Sequence, residues 1–149
     1  GPHALDLTLD YDVFAAAGTG LGCGAVVVLD DDMCPVATSA AVMMYFGREN
    51  AAQCGSCFNG TSAMANVLES LRDAGADLAE IDRLKYWSTF LRGRGACGTL
   101  DGATNVAASL LREFPDVVDA HLHGTCSTCE RGKFPTYPPH GVSYVANDA

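Results

Sequence analysis

Apolar residues recur at helical spacing through most of this chain. Met64, Val67, Leu68 and Leu71 fall at i, i+3, i+4 and i+7 and predict a helix over about residues 60–74, stopped by Gly75. Upstream, Ala37 to Phe46 is the most apolar stretch. Pro35 suits the first position of a helix there, running to about Gly47. Asp77 with Glu80 three residues on is a capping-box start, and Leu78, Ile81, Leu84, Trp87 and Leu91 line the inner face of a third helix that ends at Gly93 and Gly95. Thr99 or Asp101 caps a fourth, with Val106, Leu110, Leu111 and Phe114 as its stripe. Pro115 either kinks that helix or starts a last one reaching His121. At the N-terminal side the period changes. Leu5 to Tyr11 alternates apolar and polar residues and predicts a short strand or extended segment, and Ala25 to Leu29 reads as a buried strand.

The predicted fold is mainly α: an antiparallel four-helix bundle, preceded by a short β or extended segment and followed by an irregular tail rich in Cys and Pro. Residues 1–34 form the extended or β lead-in, as the end of an upstream domain. Residues 35–123 form the four-helix domain, and residues 124–149 the tail with its C-x-x-C pair. The run Gly18 to Gly24 carries four glycines but precedes its strand, whereas a dinucleotide-binding loop follows one; a tight turn is the simpler reading.

Composition narrows the function. The net charge of −9 argues against nucleic acid or an anionic membrane as partner and permits steering toward a basic one. No apolar run reaches the roughly 18–20 residues of a membrane span, so no membrane insertion is expected. No basic-then-apolar leader is visible, and the expected location is cytoplasmic. Seven cysteines, an odd number, suit a metal or redox site under reducing conditions better than a disulfide framework.

Cys54 and Cys57 sit two residues apart in a Gly/Ser turn just before the second predicted helix, and Cys97 lies just before the fourth. Alternate helices of an antiparallel bundle begin at one end. Three soft sulfurs distant in sequence can therefore converge, as zinc or an iron–sulfur cluster requires. A thioredoxin-like reading of C-G-S-C needs a βαβ context that this chain lacks. In the tail, His121, His123, Cys126 and Cys129 place two imidazoles and two thiols within nine residues, a candidate zinc site. Cys23 and Cys34 stand singly and read as ordinary buried cysteines. Arg92 and Arg94 flank the last thiol and would raise the potential of a cluster there, or simply end a helix.

Several stretches together carry a resemblance: Asp10-Tyr11 through the glycine turn, the Asp30–Asp32 run with Cys34, E-N-A-A-Q-C-G-S-C-F-N-G-T from Glu49, G-A-C-G-T-L-D from Gly95, and R-E-F-P-D-V-V-D-A-H-L from Arg112. Over residues 5–123 the chain resembles the C-terminal iron–sulfur region of the NADH-oxidising, flavin-carrying subunit of respiratory complex I. Related subunits occur in NAD-linked hydrogenases and formate dehydrogenases. The resemblance implies a four-helix bundle binding one [4Fe–4S] cluster that takes electrons from a flavin. The family motif is E-S-C-G-x-C-x-P-C-R-x-G-T with a fourth cysteine further on. Its second and third cysteines fall on Cys54 and Cys57, the distant one on Cys97, and its Gly-Thr on Gly60 and Thr61. Its first cysteine falls on Ala51, its Pro on Ser56 and its Arg on Phe58.

One cluster ligand is therefore absent. Asn50 or Glu49 could supply oxygen, water could fill the position, or a tail thiol could fold back. The expected function is an iron–sulfur electron-transfer module. Its cluster, [4Fe–4S] rather than [3Fe–4S], is held by three cysteines and a non-cysteine or open fourth site. Electrons pass singly to a redox protein such as a ferredoxin or flavoprotein, with a partner subunit or upstream domain supplying the rest of an oxidoreductase. No flavin or NAD site is expected within this chain. The alternatives are an enzyme using the open iron as a Lewis acid, and a zinc-binding structural or interaction module.

Overall fold

The computed structural model describes residues 6–24, 26–29 and 31–130. The later tail, and Ala25 of the expected strand, lie outside the described residues. The chain divides into two units, Gly1–Asp30 and Asp31–Ala149.

In the first unit, helix α1 spans Tyr11–Ala16, within the lead-in of residues 1–34 that is expected to be extended or β. Asp10 is the reason: its carboxylate accepts the N–H groups of Asp12 and Val13 at 2.9 and 3.2 Å and so nucleates a helical turn. The Tyr11 hydroxyl donates to the Gly22 carbonyl at 3.1 Å, folding the glycine run back on α1. Gly18, Gly22 and Gly24 have φ of 76°, 57° and 80°, which only glycine adopts without cost. The described residues contain no strand. Val26, Val27 and Val28 are 63%, 75% and 82% exposed rather than buried. Their β propensity has no neighbouring ladder to act through among those residues.

The second unit is helical throughout: α2 (Pro35–Glu49), α3 (Gly55–Arg72), α4 (Leu78–Phe90), α5 (Thr99–Glu113), α6 (Pro115–Leu122) and the single turn α7 (Ser127–Glu130). Pro35 occupies the first turn of α2, and Pro115 starts α6 rather than kinking α5. Helix α3 begins five residues earlier than its apolar stripe suggests. Cys54 is its N-cap and Cys57 lies inside its first turn. Thr61 and Ser62 donate their hydroxyls back to the carbonyls of Cys57 and Phe58 at 2.8 and 2.9 Å, one turn earlier in the same helix.

Asp77 and Glu80 form the reciprocal capping box at the start of α4, with bonds of 2.8 and 3.1 Å. Asp77→Ala is expected to lower stability by about 1 kcal/mol, read as a shift in the denaturation midpoint.

Helix α2 packs on α3 and α5, α3 also on α4 and α5, α4 on α5, and α6 returns across α5, α3 and α2. Met43, Met64, Leu68, Leu71, Leu84 and Leu100, drawn from α2 to α5, are fully buried between them. The ends of α2 and α4 meet the starts of α3 and α5. A Cβ on Gly60 would come 2.6 Å from Leu91 Cδ1, and one on Gly102 would come 3.1 Å from Phe46 Cζ. No described helix is long and apolar enough to cross a membrane.

Candidate functional site

The end where α3 and α5 begin carries Cys54, Cys57 and Cys97. Cys57 is 7% exposed on the first turn of α3, Cys54 is half-buried as its cap, and Cys97 is exposed two residues before α5. The two segments are stitched together. The Ala96 N–H donates to Cys54 Sγ at 3.3 Å, and the Ser56 hydroxyl donates to the Arg94 carbonyl at 2.6 Å. Asp101, expected as a helix cap, instead accepts the Gly93 N–H at 2.6 Å and holds the loop leading to Cys97.

Burial raises the Cys57 thiol above its ordinary pKa, and the negative charges of Cys97 and Cys54 raise it further. The Cys97 thiol falls below its ordinary value because the hydroxyl and then the N–H of Thr99 support its thiolate. The three cysteines are not among the described groups tight enough to hold a single metal ion. Thiolates that bind different irons of one cluster stand further apart than thiolates sharing one ion.

Other residues singled out in the sequence lie nearby. Asn50 is the C-cap of α2. Its amide nitrogen donates to the Phe46 and Gly47 carbonyls at 2.9 Å and meets Thr61 Oγ1 at 3.4 Å, while its oxygen accepts the Ala52 N–H at 3.0 Å. Glu49 is exposed at the last position of α2. Ala51 is exposed, and Ala52 has φ of 52°, a left-handed conformation that is unusual for a residue with a side chain. Arg94 is engaged with Phe90: its Nε donates to the Phe90 carbonyl at 2.6 Å and its guanidinium lies 4.0 Å above the Phe90 ring.

The opposite end holds a second group. Cys34, His121, Cys126 and Cys129 present one donor atom each, all within 4.8 Å of one another. Cys34 is fully buried, His121 is 2% exposed and Cys126 9%. His121 Nε2 lies 3.2 Å from Cys34 Sγ and 3.3 Å from Cys129 Sγ, and its Nδ1 lies 3.0 Å from the Leu71 carbonyl.

Burial lowers the His121 pKa against the opposing hydrogen bonds to Leu71 and Arg72. Burial likewise raises Cys34 and Cys129, the latter helped by its two neighbouring thiols. Cys126 is pushed up by burial, but hydrogen bonds from the Cys129 amide and thiol and from Cys34 outweigh this and leave it below the ordinary value.

Of the four tail residues that sequence spacing groups, three converge here and His123 does not. Its ring is 68% exposed and bonds the Asp119 carbonyl at 2.9 Å. Cys34 stands in its place. Sequence reasoning misses it because 87 residues separate it from His121. The available signal is its position just before α2, at the end of the unit where α3 finishes.

Residues 37–121 match the family model described as the NADH-ubiquinone oxidoreductase-F iron-sulfur binding region. The F subunit of NADH-quinone oxidoreductase from Mycobacterium tuberculosis (strain ATCC 25618 / H37Rv) is 30% identical over 120 residues, which is 80% of this chain and 27% of that protein. The HndC subunit of the NADP-reducing hydrogenase from Solidesulfovibrio fructosivorans is 27% identical over 118 residues, 79% of this chain and 24% of that protein. The corresponding NADH-quinone oxidoreductase protein of Streptomyces coelicolor is 27% identical over 120 residues, 80% of this chain and 27% of that protein. The chain thus spans about a quarter of the length of the curated relatives it matches.

Proposed function

Because the chain belongs to the NADH-ubiquinone oxidoreductase-F iron-sulfur binding region family, we propose that it is an electron-transfer module whose cluster is held by Cys54, Cys57 and Cys97. The carrying observation is the stitching of the Cys97 loop to the start of α3, with the Ala96 N–H aimed at Cys54 Sγ. The donor set suits an iron–sulfur cluster: three soft thiols from two helix starts that hydrogen bonds join. When bound, the cluster takes up and returns one electron at a time.

The surrounding residues prepare that site. The first turn of α3 points its N–H groups and the positive end of its dipole at the thiolates. Ser56 and Asp101 fix the loop that brings Cys97 near. Buried Thr61 and the close approach of Leu91 to Gly60 lock the ends of α2 and α4 against that turn. We read α2 to α5 as the antiparallel four-helix bundle of the family, since the ends of α2 and α4 lie beside the starts of α3 and α5. Arg94, engaged with Phe90, contributes less to the potential than its position beside Cys97 suggests.

We favour [4Fe–4S] over [3Fe–4S], with Ala51 at the fourth ligand's place. The Asn50 oxygen accepts the Ala52 N–H, and the fourth iron would take Asn50, Glu49 or a solvent oxygen. With Cys97 exposed, the proposed site would lie close to the surface, within reach of a ferredoxin-like or flavin-carrying partner or a partner subunit of an oxidoreductase. A net charge of −9 favours a basic docking face on that partner. Flavin and NAD chemistry would belong to an upstream domain or a partner.

The test is anaerobic iron and sulfide analysis with EPR of the dithionite-reduced chain, run beside Ala51→Cys. The expected result is a cluster in both. Ferricyanide should remove one iron from the parent to leave a [3Fe–4S] signal, while Ala51→Cys keeps all its iron. A chain that binds neither iron nor sulfide overturns the function. Equal resistance to ferricyanide overturns the open fourth site.

A further inference from the structure

We propose that Cys34, His121, Cys126 and Cys129 form a second, closed metal site for a single soft divalent cation, zinc by its donor set, separate from the cluster site.

The geometry is that of one ion. Zn–S bonds of about 2.3 Å and Zn–N bonds of about 2.0–2.1 Å at tetrahedral angles set edges of about 3.8 Å between sulfurs and about 3.6 Å between sulfur and nitrogen. The Cys34 and Cys126 sulfurs are 3.9 Å apart, His121 Nε2 lies 3.2 and 3.3 Å from two sulfurs, and all four donor atoms fall within 4.8 Å. Three sulfurs and one imidazole at these separations match a structural zinc site and leave no position for substrate.

Hydrogen bonding among the thiols accounts for the arrangement less well. With Nδ1–H donating to the Leu71 carbonyl at 3.0 Å, Nε2 has a single lone pair, yet two thiols approach it. One cation satisfies both approaches together. The Leu71 bond also fixes the tautomer and ring direction, as an outer partner of a metal-bound histidine does.

The site would fasten three pieces of chain: the start of α2, the end of α6 and the short α7. Beyond the packing of Cys126 and Cys129 on the core, a four-residue helical turn has little of its own to hold it. The site also lies far from the cysteines at the other end. Helix α3 runs between the two ends, and its 18 residues span roughly 27 Å. Each metal should therefore come and go without the other.

The experiment is element analysis of the anaerobically purified full chain and of Cys34→Ser and His123→Gln, with X-ray absorption at the zinc edge and optical spectra after cobalt substitution. The expected result is about one zinc per chain, with a shell of three sulfurs and one nitrogen, and tetrahedral thiolate-ligated cobalt bands. Cys34→Ser should weaken zinc at least about tenfold, judged by competition with a chelator, while its iron content stays at the parent level. His123→Gln should bind zinc as the parent does. Should Cys34→Ser fail to fold, the absorption shell of the parent decides the ligand set alone. A parent that takes up no zinc, a shell of other composition, or zinc binding unchanged in Cys34→Ser each overturns the proposal. So does a Cys34–Cys126 disulfide in the anaerobic chain.

Discussion

Cys57→Ser is expected to lower the iron and acid-labile sulfide of the chain to about a tenth or less of the parent and to abolish its EPR signal on reduction. The loss follows from softness and geometry. A serine hydroxyl stays protonated where a thiolate would bind, and its hard oxygen suits an iron of the cluster poorly. Cys57 is the most buried of the three sulfurs. Burial and the charges of Cys97 and Cys54 oppose its ionisation, so the proposed cluster would have to stabilise the three thiolates together. Serine is nearly isosteric, and the helical circular dichroism should be kept. Cys23→Ser, an exposed position in the Gly1–Asp30 unit, serves as control with iron unchanged. Full iron in Cys57→Ser would remove this residue from the site and the proposed function with it.

Leu68→Ala is expected to destabilise the metal-free chain by about 3 kcal/mol, a large part of the 5–15 kcal/mol typical of a domain. Leu68 is fully buried on α3, the helix that packs on α2, α4, α5 and α6 alike. Deleting its branch leaves a cavity that four neighbours would have to fill at once, and close-packed interiors relax only in part. The melting temperature should fall by roughly 10 °C. In the cold the variant should still load iron, because Leu68 lies about three to four helical turns from the sulfurs at the start of α3. A shift below about 1 kcal/mol, measured by urea denaturation, would mean that this core is looser than its burial indicates.

Much of the helical layout is legible in the sequence. Pro35, the Asp77/Glu80 box and Pro115 mark helix starts by backbone chemistry that acts within a few residues, and the structure has helices starting there. The first turn of α3 is not legible. Its residues, Gly55 to Asn59, look like loop, and the turn forms where the next residue, Gly60, lies close against Leu91 and Leu100. Helix α1 is hidden for a different reason: it is one short turn-and-a-half, started by the capping carboxylate of Asp10 where the alternation of Leu5 to Tyr11 ends.

Side-chain roles are the harder part. Asn50, Arg94 and Asp101 are chemically suited to ligation, to tuning a potential and to capping a helix. Each makes a specific hydrogen bond, to Ala52, Phe90 and Gly93 respectively, that sequence spacing does not foretell. Only atomic positions settle a choice among partners of similar strength.

By itself the chain's order of residues determined the helices with strong local signals and the family, because periodicity, caps and short motifs are written in neighbouring positions. It also held the argument that Cys54, Cys57 and Cys97 sit where alternate helices begin. The tertiary structure alone decided that Cys34 joins His121, Cys126 and Cys129 and that His123 points to solvent. Which atoms meet across 87 residues depends on how the intervening helices pack, and no local pattern encodes that.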